Sequence, residues 1–321
     1  ASGLPSVLNP RQGFIVAANN KIVGNDFPYH ISHVWEPPWR AQRLQEVLSH
    51  DSLVSVEDME RLQQDVVSPL ARDVVPLVLA VVPETTASPI ERSALMYLRM
   101  WDHAIRADAP AASIFEATYL HLLSETLGDE LGPELLGVYD TLASMPLTTV
   151  ERLLERPASP WFDDIRTPGV EMRDDIVRRA FRGAVAELEN ILGPEVKNWR
   201  WDRLHTVTFE HVFGANPLLS PIFNNGPYPV RGSHSTVSIG YYVLTQPYRM
   251  TVGSSTRQVF DLSDVNNTRS VVPPGQSGHA FHRNYNDQIP LWLNGASRII
   301  PMDAALVERS AGRLLVLEPE R

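Results

Sequence analysis

A change of sequence character at Gly193-Pro194 constrains the fold of this chain more than any other feature. Before it, apolar residues recur at helical spacing; after it, short β-branched and aromatic runs are separated by Gly, Pro, Asn and Ser. Gly followed by Pro is a helix stop signal. The simplest arrangement is a β-rich layer, formed by one early strand and the later ones, with a helical excursion between them. The sequence therefore predicts an α+β fold with a mostly helical middle and a β-rich C-terminal part.

Helices are predicted throughout the middle of the chain. Ser55, with Asp58 three residues later, forms a start that resembles a capping box. Residues 1–40, before the helices, are predicted to be loop, apart from the strand candidate FIVAA at residues 14–18. The apolar spacing places helices at residues 39–48, 55–81, 88–106, 111–127, 147–155 and 170–192.

The other strands are predicted in short runs after Pro194. The segment from Gly214 to Ser235 is longer than an ordinary connection, so it is a candidate functional loop. The predicted strands lie in WRWDRLHTVTFEHV, TVSIGYYV, YRMTVG, RQVFDLS, SRIIPM and RLLVLEP.

Composition excludes several classes of function. The 321 residues, 43% of them hydrophobic, suffice for a sizeable core. A net charge of -10 without a Lys/Arg cluster argues against a nucleic-acid partner. The absence of cysteine excludes disulfides, thiolate catalysis and Cys-ligated zinc. No apolar run approaches the length of a membrane span, so no membrane partner is expected.

Generic catalytic motifs fail in this sequence. Ser277 lies in GQSGH, where a nucleophile elbow requires glycine at the last position, so an independent serine hydrolase is a minor alternative. The pairs His30/His33 and His279/His282 lack a helix and a third ligand at a recognisable offset, which favours ordinary loop histidines over a metal site. No glycine-rich nucleotide-binding motif occurs, so no nucleotide cofactor is expected.

Several motifs in a fixed order do cohere. They are NPRQGFIVAANN at residues 9–20, Trp199-x-Trp201-x-x-x-His205, RQVFDLSD at residues 257–264, and GQSG followed by YNDQ and Leu291-Trp292. Their order and spacing, over essentially the whole chain, resemble the β chain of penicillin acylase family enzymes. One departure is Asn284, where the family often has His.

The resemblance implies an amidohydrolase of the N-terminal nucleophile class, with an αββα sandwich fold. Such enzymes are made as precursors and processed so that a new N-terminal Ser attacks the amide, its own α-amine serving as the base. Ser2 does not match the nucleophile position. Residues 1–321 thus resemble the C-terminal part of a β chain, which we expect to be inactive alone and to require the N-terminal part and the α chain as partners.

The resemblance also implies two site residues, Asn19 and Arg40. Asn19 corresponds to an oxyanion donor, whose neutral amide can stabilise developing negative charge without titrating. Arg40, 21 residues later, would orient that amide through its fixed donors. The alternatives are an Asn-Asn turn that closes a strand, and a solvated arginine in the first turn of a helix. Asn20 is expected to be structural, and His205, His279 and His282 to make local hydrogen bonds.

The implied substrate is a small molecule with a linear amide, of the penicillin, cephalosporin or N-acyl homoserine lactone type. The resemblance implies a bacterial periplasmic or secreted enzyme, with no required cofactor and no metal ligand among these residues. A calcium ion is possible in the complete enzyme, for which Asp26 is the one candidate ligand here. The competing hypothesis is a non-catalytic β-rich binding or interaction module, with a ligand held by residues 214–235.

Overall fold

The structure, a computed structural model, describes residues 3–50, 54–142, 144–312, 315–317 and 319. Ser2 therefore lies outside the described residues, as does part of the strand predicted at 313–319. The helices are α1 (Trp39–His50), α2 (Val56–Leu62), α3 (Pro69–Val81), α4 (Pro89–Arg99), α5 (Pro110–Tyr139), α6 (Met145–Leu154), α7 (Arg173–Leu192), α8 (Ser220–Phe223), α9 (Ile289–Leu293) and α10 (Ala304–Ser310).

Among the described residues, every strand lies after residue 196, and all the strands are short. They are β1 (Thr206–Phe209), β2 (Asn225–Pro229), β3 (Gly240–Tyr241), β4 (Val252–Gly253), β5 (Arg257–Val259), β6 (Arg269–Val271) and β7 (Arg298–Ile299). They form two sheets of two strands, β1-β2 and β3-β4, and one of three strands, β5-β6-β7. The predicted order, a helical middle followed by short strands, is confirmed, but the strands form three small sheets and not the single β-rich layer expected from the sequence.

The chain divides into two compact units. The first comprises Ala1–Ser52, Asp65–Glu210 and Gly226–Gly253. Its core forms where α5 packs against α7, because both helices present apolar residues at helical spacing to each other. Their buried residues include Ile114, Phe115 and Leu122 of α5, and Ile176, Phe181 and Leu188 of α7. Three tryptophans, Trp39, Trp199 and Trp201, are also almost fully buried in this unit.

The second unit comprises Leu53–Gln64, His211–Asn225 and Ser254–Arg321. Its sheet is antiparallel, with Arg257 opposite Val271 and Arg269 opposite Ile299. The Arg257 guanidinium lies 4.6 Å from the Trp292 ring centroid, a cation–π arrangement. The Trp292 indole N–H donates to the Ser254 carbonyl at 2.8 Å, which fixes the ring beneath the guanidinium.

Two predicted helix boundaries are confirmed. Asp58 N–H donates to Ser55 Oγ at 3.1 Å and Ser55 N–H donates to the Asp58 carboxylate at 2.8 Å, so the capping box is present. Helix α7 ends at Leu192, and Gly193 directly after it has a φ of 88° that glycine adopts without steric cost.

The prediction of one helix over residues 55–81 is wrong, because the structure has two helices there, α2 and α3, with a break between them. Ser68 precedes Pro69, and a residue before proline disfavours the helical conformation. Ser68 instead caps α3, its side chain accepting a hydrogen bond from Ala71 N–H at 3.0 Å. Asp65 in the break accepts from Val67 N–H at 3.0 Å. Ser68 thus satisfies the start of α3, and Asp65 satisfies the backbone of the connection before it.

Two further expectations need correction. Residues 14–18 do not form a strand, because no neighbouring strand among the described residues pairs with them, and Ile15 is 61% exposed. Residues 214–235 are not a structureless loop, since α8 and β2 lie within them. In the second unit, α8 begins shortly after Asn216, whose side chain accepts from Leu218 N–H at 2.9 Å.

No helix in the described part of the chain has both the length and the apolar character needed to cross a bilayer. The longest, α5, carries Glu116 and Glu125 and changes direction at Gly132, which has a non-helical φ of 66° just before Pro133.

Candidate active site

Asn19 lies at the point where the exposed N-terminal segment reaches the core of the first unit. Ala18 before it is buried, while Asn19 is exposed. Its φ of 62° is in the left-handed region, which asparagine tolerates better than most residues. Its carbonyl accepts a hydrogen bond from Glu36 N–H at 3.0 Å, next to a parallel bridge between Asn20 and Glu36. The backbone of Asn19 is thereby held while its side chain reaches the surface.

Arg40 approaches Asn19 from the first turn of α1. The helix start is anchored by Trp39, which is 1% exposed and whose indole N–H donates to Glu151 Oε1 at 2.6 Å. From this position Arg40 Nη2 donates to the Ala18 carbonyl at 2.8 Å and to Asn19 Oδ1 at 3.0 Å. The structure therefore brings together the two residues that the sequence singled out.

The contact with Arg40 sets the orientation of the Asn19 amide. A guanidinium has donors only, so the amide must turn its oxygen toward it. The Nδ2 group then points away, and no described residue accepts a hydrogen bond from it. An exposed, fixed N–H donor next to a cation can hydrogen-bond a negatively charged oxygen.

Burial lowers the pKa of Arg40, an effect that the nearby Glu36 carboxylate opposes. An arginine remains protonated at neutral pH despite such a shift, because its ordinary pKa is so high. Arg40 is therefore a permanent, half-buried cation that holds Asn19. The alternative of a fully solvated arginine is wrong.

Asn20 uses its side chain locally. Its Oδ1 accepts from Ala18 N–H at 3.3 Å and its Nδ2 donates to the Lys21 carbonyl at 3.1 Å. Both amide groups are engaged with the adjacent backbone. This arrangement agrees with the structural role expected for Asn20.

Ser277 and its neighbouring histidines form turns rather than a catalytic pair. Ser277 Oγ accepts from His279 N–H at 3.1 Å, and His279 Nδ1 accepts from Phe281 N–H at 3.2 Å. His282 Nδ1 likewise accepts from Asn284 N–H at 3.1 Å. Among the described residues, no hydrogen bond joins the Ser277 hydroxyl to a histidine ring. The geometry gives no support to an independent serine hydrolase.

His30 and His33 are both exposed, with ring centroids 4.2 Å apart. Within the described ranges, no three His, Asp or Glu side chains are grouped so that they could hold a metal ion. Asp26 is exposed in the same segment. Among the described residues, the histidine pair therefore has no third side chain with which it could hold a metal ion.

A buried polar cluster in the first unit is not predicted from the sequence. The Tyr242 hydroxyl donates to Glu116 Oε2 at 2.7 Å, and Tyr242 N–H donates to His234 Nε2 at 3.1 Å. Burial raises the pKa of Glu116 to about 7, and hydrogen bonds from Tyr242 and Ser233 oppose this shift. Burial lowers the pKa of His234 to about 3 and that of His205 to about 4. A lone carboxylate in the apolar helical run AASIFEATYL was the signal that could have revealed it.

Comparison with known sequences identifies the family of the chain. The sequence profile of the penicillin amidase family matches residues 1–309. An acyl-homoserine lactone acylase of Pseudomonas aeruginosa is 28% identical over 99% of this chain and 41% of its own length. The penicillin acylase 2 proenzyme of Pseudomonas sp. strain SE83 is 26% identical over 93% of the chain and 37% of its own length. The chain thus spans about two-fifths of these relatives.

Comparison with solved structures identifies the fold. A thermostable penicillin G acylase from Alcaligenes faecalis matches with a TM-score of 0.61 at 20% identity, over 98% of this chain and 58% of that one. The chain therefore shares the fold of that enzyme, which is the Ntn-hydrolase fold class predicted from the sequence. Since the family profile covers nearly the whole chain, from the NPRQG turn through the Asn19–Arg40 pair to the last helix, this protein belongs to the penicillin amidase family.

Proposed function

We propose that these residues are the C-terminal part of the β chain of an acylase that hydrolyses a linear amide, and that Asn19 supplies one donor of its oxyanion hole. The nucleophilic Ser would lie on polypeptide outside residues 1–321. On this proposal, the chain has no activity alone and acts only with the N-terminal part of the β chain and an α chain. Its three regions, residues 1–40, 41–195 and 196–321, would be parts of one catalytic assembly.

The proposed reaction has two stages. The Ser hydroxyl attacks the amide carbonyl carbon and gives its proton to the base, so the carbonyl oxygen becomes negatively charged. The Asn19 Nδ2 group donates a hydrogen bond to that oxygen. As the intermediate collapses, the base gives that proton to the leaving nitrogen, the C–N bond breaks and the amine leaves; water then hydrolyses the acyl ester by the same route. An amide donor suits this role because it remains neutral throughout.

The observation that carries the proposal is the 3.0 Å hydrogen bond from Arg40 Nη2 to Asn19 Oδ1. It fixes which end of the amide faces solvent, and an oxyanion donor requires the NH₂ end. Preorganisation of this kind avoids reorientation during the reaction. A turn asparagine has no need of a half-buried arginine bound to its side-chain oxygen.

The test uses the protein expressed from its complete gene. The release of the acyl group is measured for wild type, Asn19→Ala and Asn198→Ala, the last being an exposed asparagine elsewhere in the first unit. We expect kcat to fall by about 10²–10³ in Asn19→Ala, which is typical of the loss of one oxyanion donor. The Asn198→Ala variant should match wild type. Undiminished turnover by Asn19→Ala would remove the basis of the proposal.

The names of the relatives support a proposal for the substrate class. Those reported above are named acyl-homoserine lactone acylases and a penicillin acylase. We therefore propose a linear amide of the N-acyl homoserine lactone or the penicillin and cephalosporin type. Hydrolysis of the latter would give the protein a place in antibiotic metabolism.

Three further features belong to the same proposal. The protein would be made as a zymogen and processed autoproteolytically, because the α-amine of a Ser can serve as base only when that Ser is N-terminal. It would act in the periplasm or outside the cell, without a required cofactor, and with calcium possible in the complete enzyme. Cell fractionation followed by N-terminal sequencing of the purified chains tests both location and processing.

A further inference from the structure

The segment that carries Asn19 has few contacts with the core of the first unit. Across residues 3–38, all of which the structure describes, only Ala18 and Pro37 are buried. These two residues lie next to Asn19 and Glu36, whose backbones meet. A side chain on such an exposed segment keeps a fixed position only if the segment itself is tied to the core. The two buried residues mark the point where such a tie exists.

The backbone of Glu36 pairs with the turn that carries Asn19. Glu36 N–H donates to the Asn19 carbonyl at 3.0 Å, and a parallel bridge joins Asn20 to Glu36. This pairing joins two stretches of the same exposed segment. It holds them to each other, but it does not by itself fix either of them to the core.

The side chain of Glu36 supplies the connection to the core. The Ser144 hydroxyl, on a residue that is 3% exposed, donates to Glu36 Oε2 at 2.7 Å. A hydrogen bond from a hydroxyl to a carboxylate is stronger than one between neutral groups, and partial burial strengthens it further. Glu36 thus contacts Asn19 through its backbone and the start of α6 through its carboxylate, 108 residues further along the chain.

Ser144 does not perform the usual task of a serine at its position. It directly precedes α6, where a serine side chain ordinarily accepts a hydrogen bond from a backbone N–H of the first helical turn. The serines that precede α2, α3 and α4 do so, but Ser144 makes no such bond. Its hydroxyl donates to Glu36 instead. This contact indicates that Ser144 serves the region around Asn19 rather than the start of its own helix.

The Glu36 carboxylate also favours the charged form of Arg40. Burial lowers the pKa of Arg40, and the negative charge of Glu36 opposes this effect. Arg40 in turn donates to the Ala18 carbonyl and to Asn19 Oδ1. Glu36 therefore supports both restraints on Asn19, which are the backbone pairing and the orientation of the amide.

We propose that Glu36 and Ser144 are positioning residues for Asn19, and that the hydrogen bond between them fixes the segment from which Asn19 would reach the oxyanion. Neither residue would touch the substrate. Loss of the bond should let the Asn19 turn move relative to the core, so that the amide is correctly placed for a smaller fraction of the time. This inference rests on the proposed function, because it concerns the placement of the same donor.

The first measurement follows the segment itself. Hydrogen–deuterium exchange at the Glu36 amide, which is bonded to Asn19, is compared by mass spectrometry in the protein expressed from its complete gene. The variants are Ser144→Ala, Ser144→Thr and Ser113→Ala. Ser113 is the matched control, since it is also a buried serine of the first unit and its hydroxyl has no hydrogen-bond partner among the described residues.

We expect Ser144→Ala to speed exchange at the Glu36 amide by about tenfold, as for the loss of one charge-assisted hydrogen bond. Ser144→Thr keeps a hydroxyl and should stay close to wild type. Ser113→Ala should leave the exchange at Glu36 unchanged.

The second measurement tells whether the tie serves the reaction. The same variants are compared in kcat and KM for acyl release from N-octanoyl homoserine lactone or benzylpenicillin, whichever wild type cleaves faster. We expect Ser144→Ala to lower kcat by about tenfold with a smaller change in KM, and Ser144→Thr to retain most of the rate. In the Asn19→Ala background, Ser144→Ala should cost little further turnover, because the donor that it positions is already gone.

Unchanged exchange at the Glu36 amide in Ser144→Ala would overturn the inference. So would an undiminished kcat of that variant where Asn19→Ala is impaired, or an equal loss with and without the Asn19 side chain. Full turnover by Asn19→Ala, or no cleavage of either substrate by wild type, would count against the proposed function alone. The exchange rates would then still decide whether Ser144 holds the segment through Glu36.

Discussion

The Tyr242 hydroxyl donates to Glu116 Oε2 at 2.7 Å inside the first unit, where both side chains are buried. Burial raises the pKa of Glu116 to about 7, while hydrogen bonds from Tyr242 and Ser233 oppose this shift. The hydrogen bond therefore only partly compensates for taking the carboxylate out of water.

We predict that Glu116→Gln stabilises the protein as pH rises. Between the unfolded pKa of 4.5 and the folded pKa of about 7, the unfolded chain loses a proton that folded Glu116 keeps, so wild-type stability falls through this window. A glutamine does not titrate and still offers Tyr242 an acceptor oxygen. The gain over wild type should be near zero at pH 4 and reach about 2–3 kcal/mol above pH 7.

Urea unfolding at pH 4, 6 and 8 measures this difference. The control is Glu134→Gln, an exposed carboxylate on the same helix, which should change stability by less than about 0.5 kcal/mol. If the gain of Glu116→Gln were the same at pH 4 and pH 8, the carboxylate would not be the cause.

We predict that Arg40→Lys impairs turnover more than binding. A lysine keeps the charge but loses the planar fork that donates to both Ala18 and Asn19, so the Asn19 amide would rotate between orientations. We expect kcat to fall by about tenfold with a smaller change in KM, since the lost interaction acts in the transition state. The control is Arg11→Lys, an exposed arginine in the same N-terminal segment.

A double-variant cycle tells whether Arg40 acts through Asn19. In the Asn19→Ala background, Arg40→Lys should cost little further turnover, because the group that it positions is already gone. Fully additive losses would indicate that Arg40 serves the fold and does not orient the amide.

The sequence predicted those elements whose causes are local. The Ser55 capping box and the stop at Gly193 depend on hydrogen bonds and dihedral angles within a few residues, so their patterns are readable along the chain. The pairing of Asn19 with Arg40 was anticipated only through the family resemblance. No local rule predicts a contact between residues 21 positions apart, one of which is in a loop.

Elements that depend on distant partners could not be predicted. FIVAA at residues 14–18 has strand propensity, but a strand requires a neighbour, and none of the described residues provides one. The same holds for Glu116, whose environment depends on Tyr242, 126 residues further along the chain.

We predict that Gly183→Ala destabilises the first unit, although alanine is the better helix former. A Cβ at Gly183 would lie 2.7 Å from Nδ1 of His121, across the contact between α5 and α7. His121 cannot easily move away, because its Nε2 is hydrogen-bonded to Glu187 Oε2 at 2.8 Å. Overpacking of this kind costs about 1–3 kcal/mol, against a gain of about 1 kcal/mol in helix propensity.

The matched control is Gly137→Ala on α5, where the added Cβ would meet nothing within 4 Å beyond its chain neighbours and the backbone of its own helix. That variant should be stabilised by about 0.5–1 kcal/mol, because only the helix propensity changes. Thermal and urea unfolding compare the two. The variant His121→Ala should remove the clash, so that adding Gly183→Ala to it becomes stabilising like Gly137→Ala. If Gly183→Ala stabilised the protein with His121 in place, the predicted clash between the added Cβ and the His121 ring would be wrong.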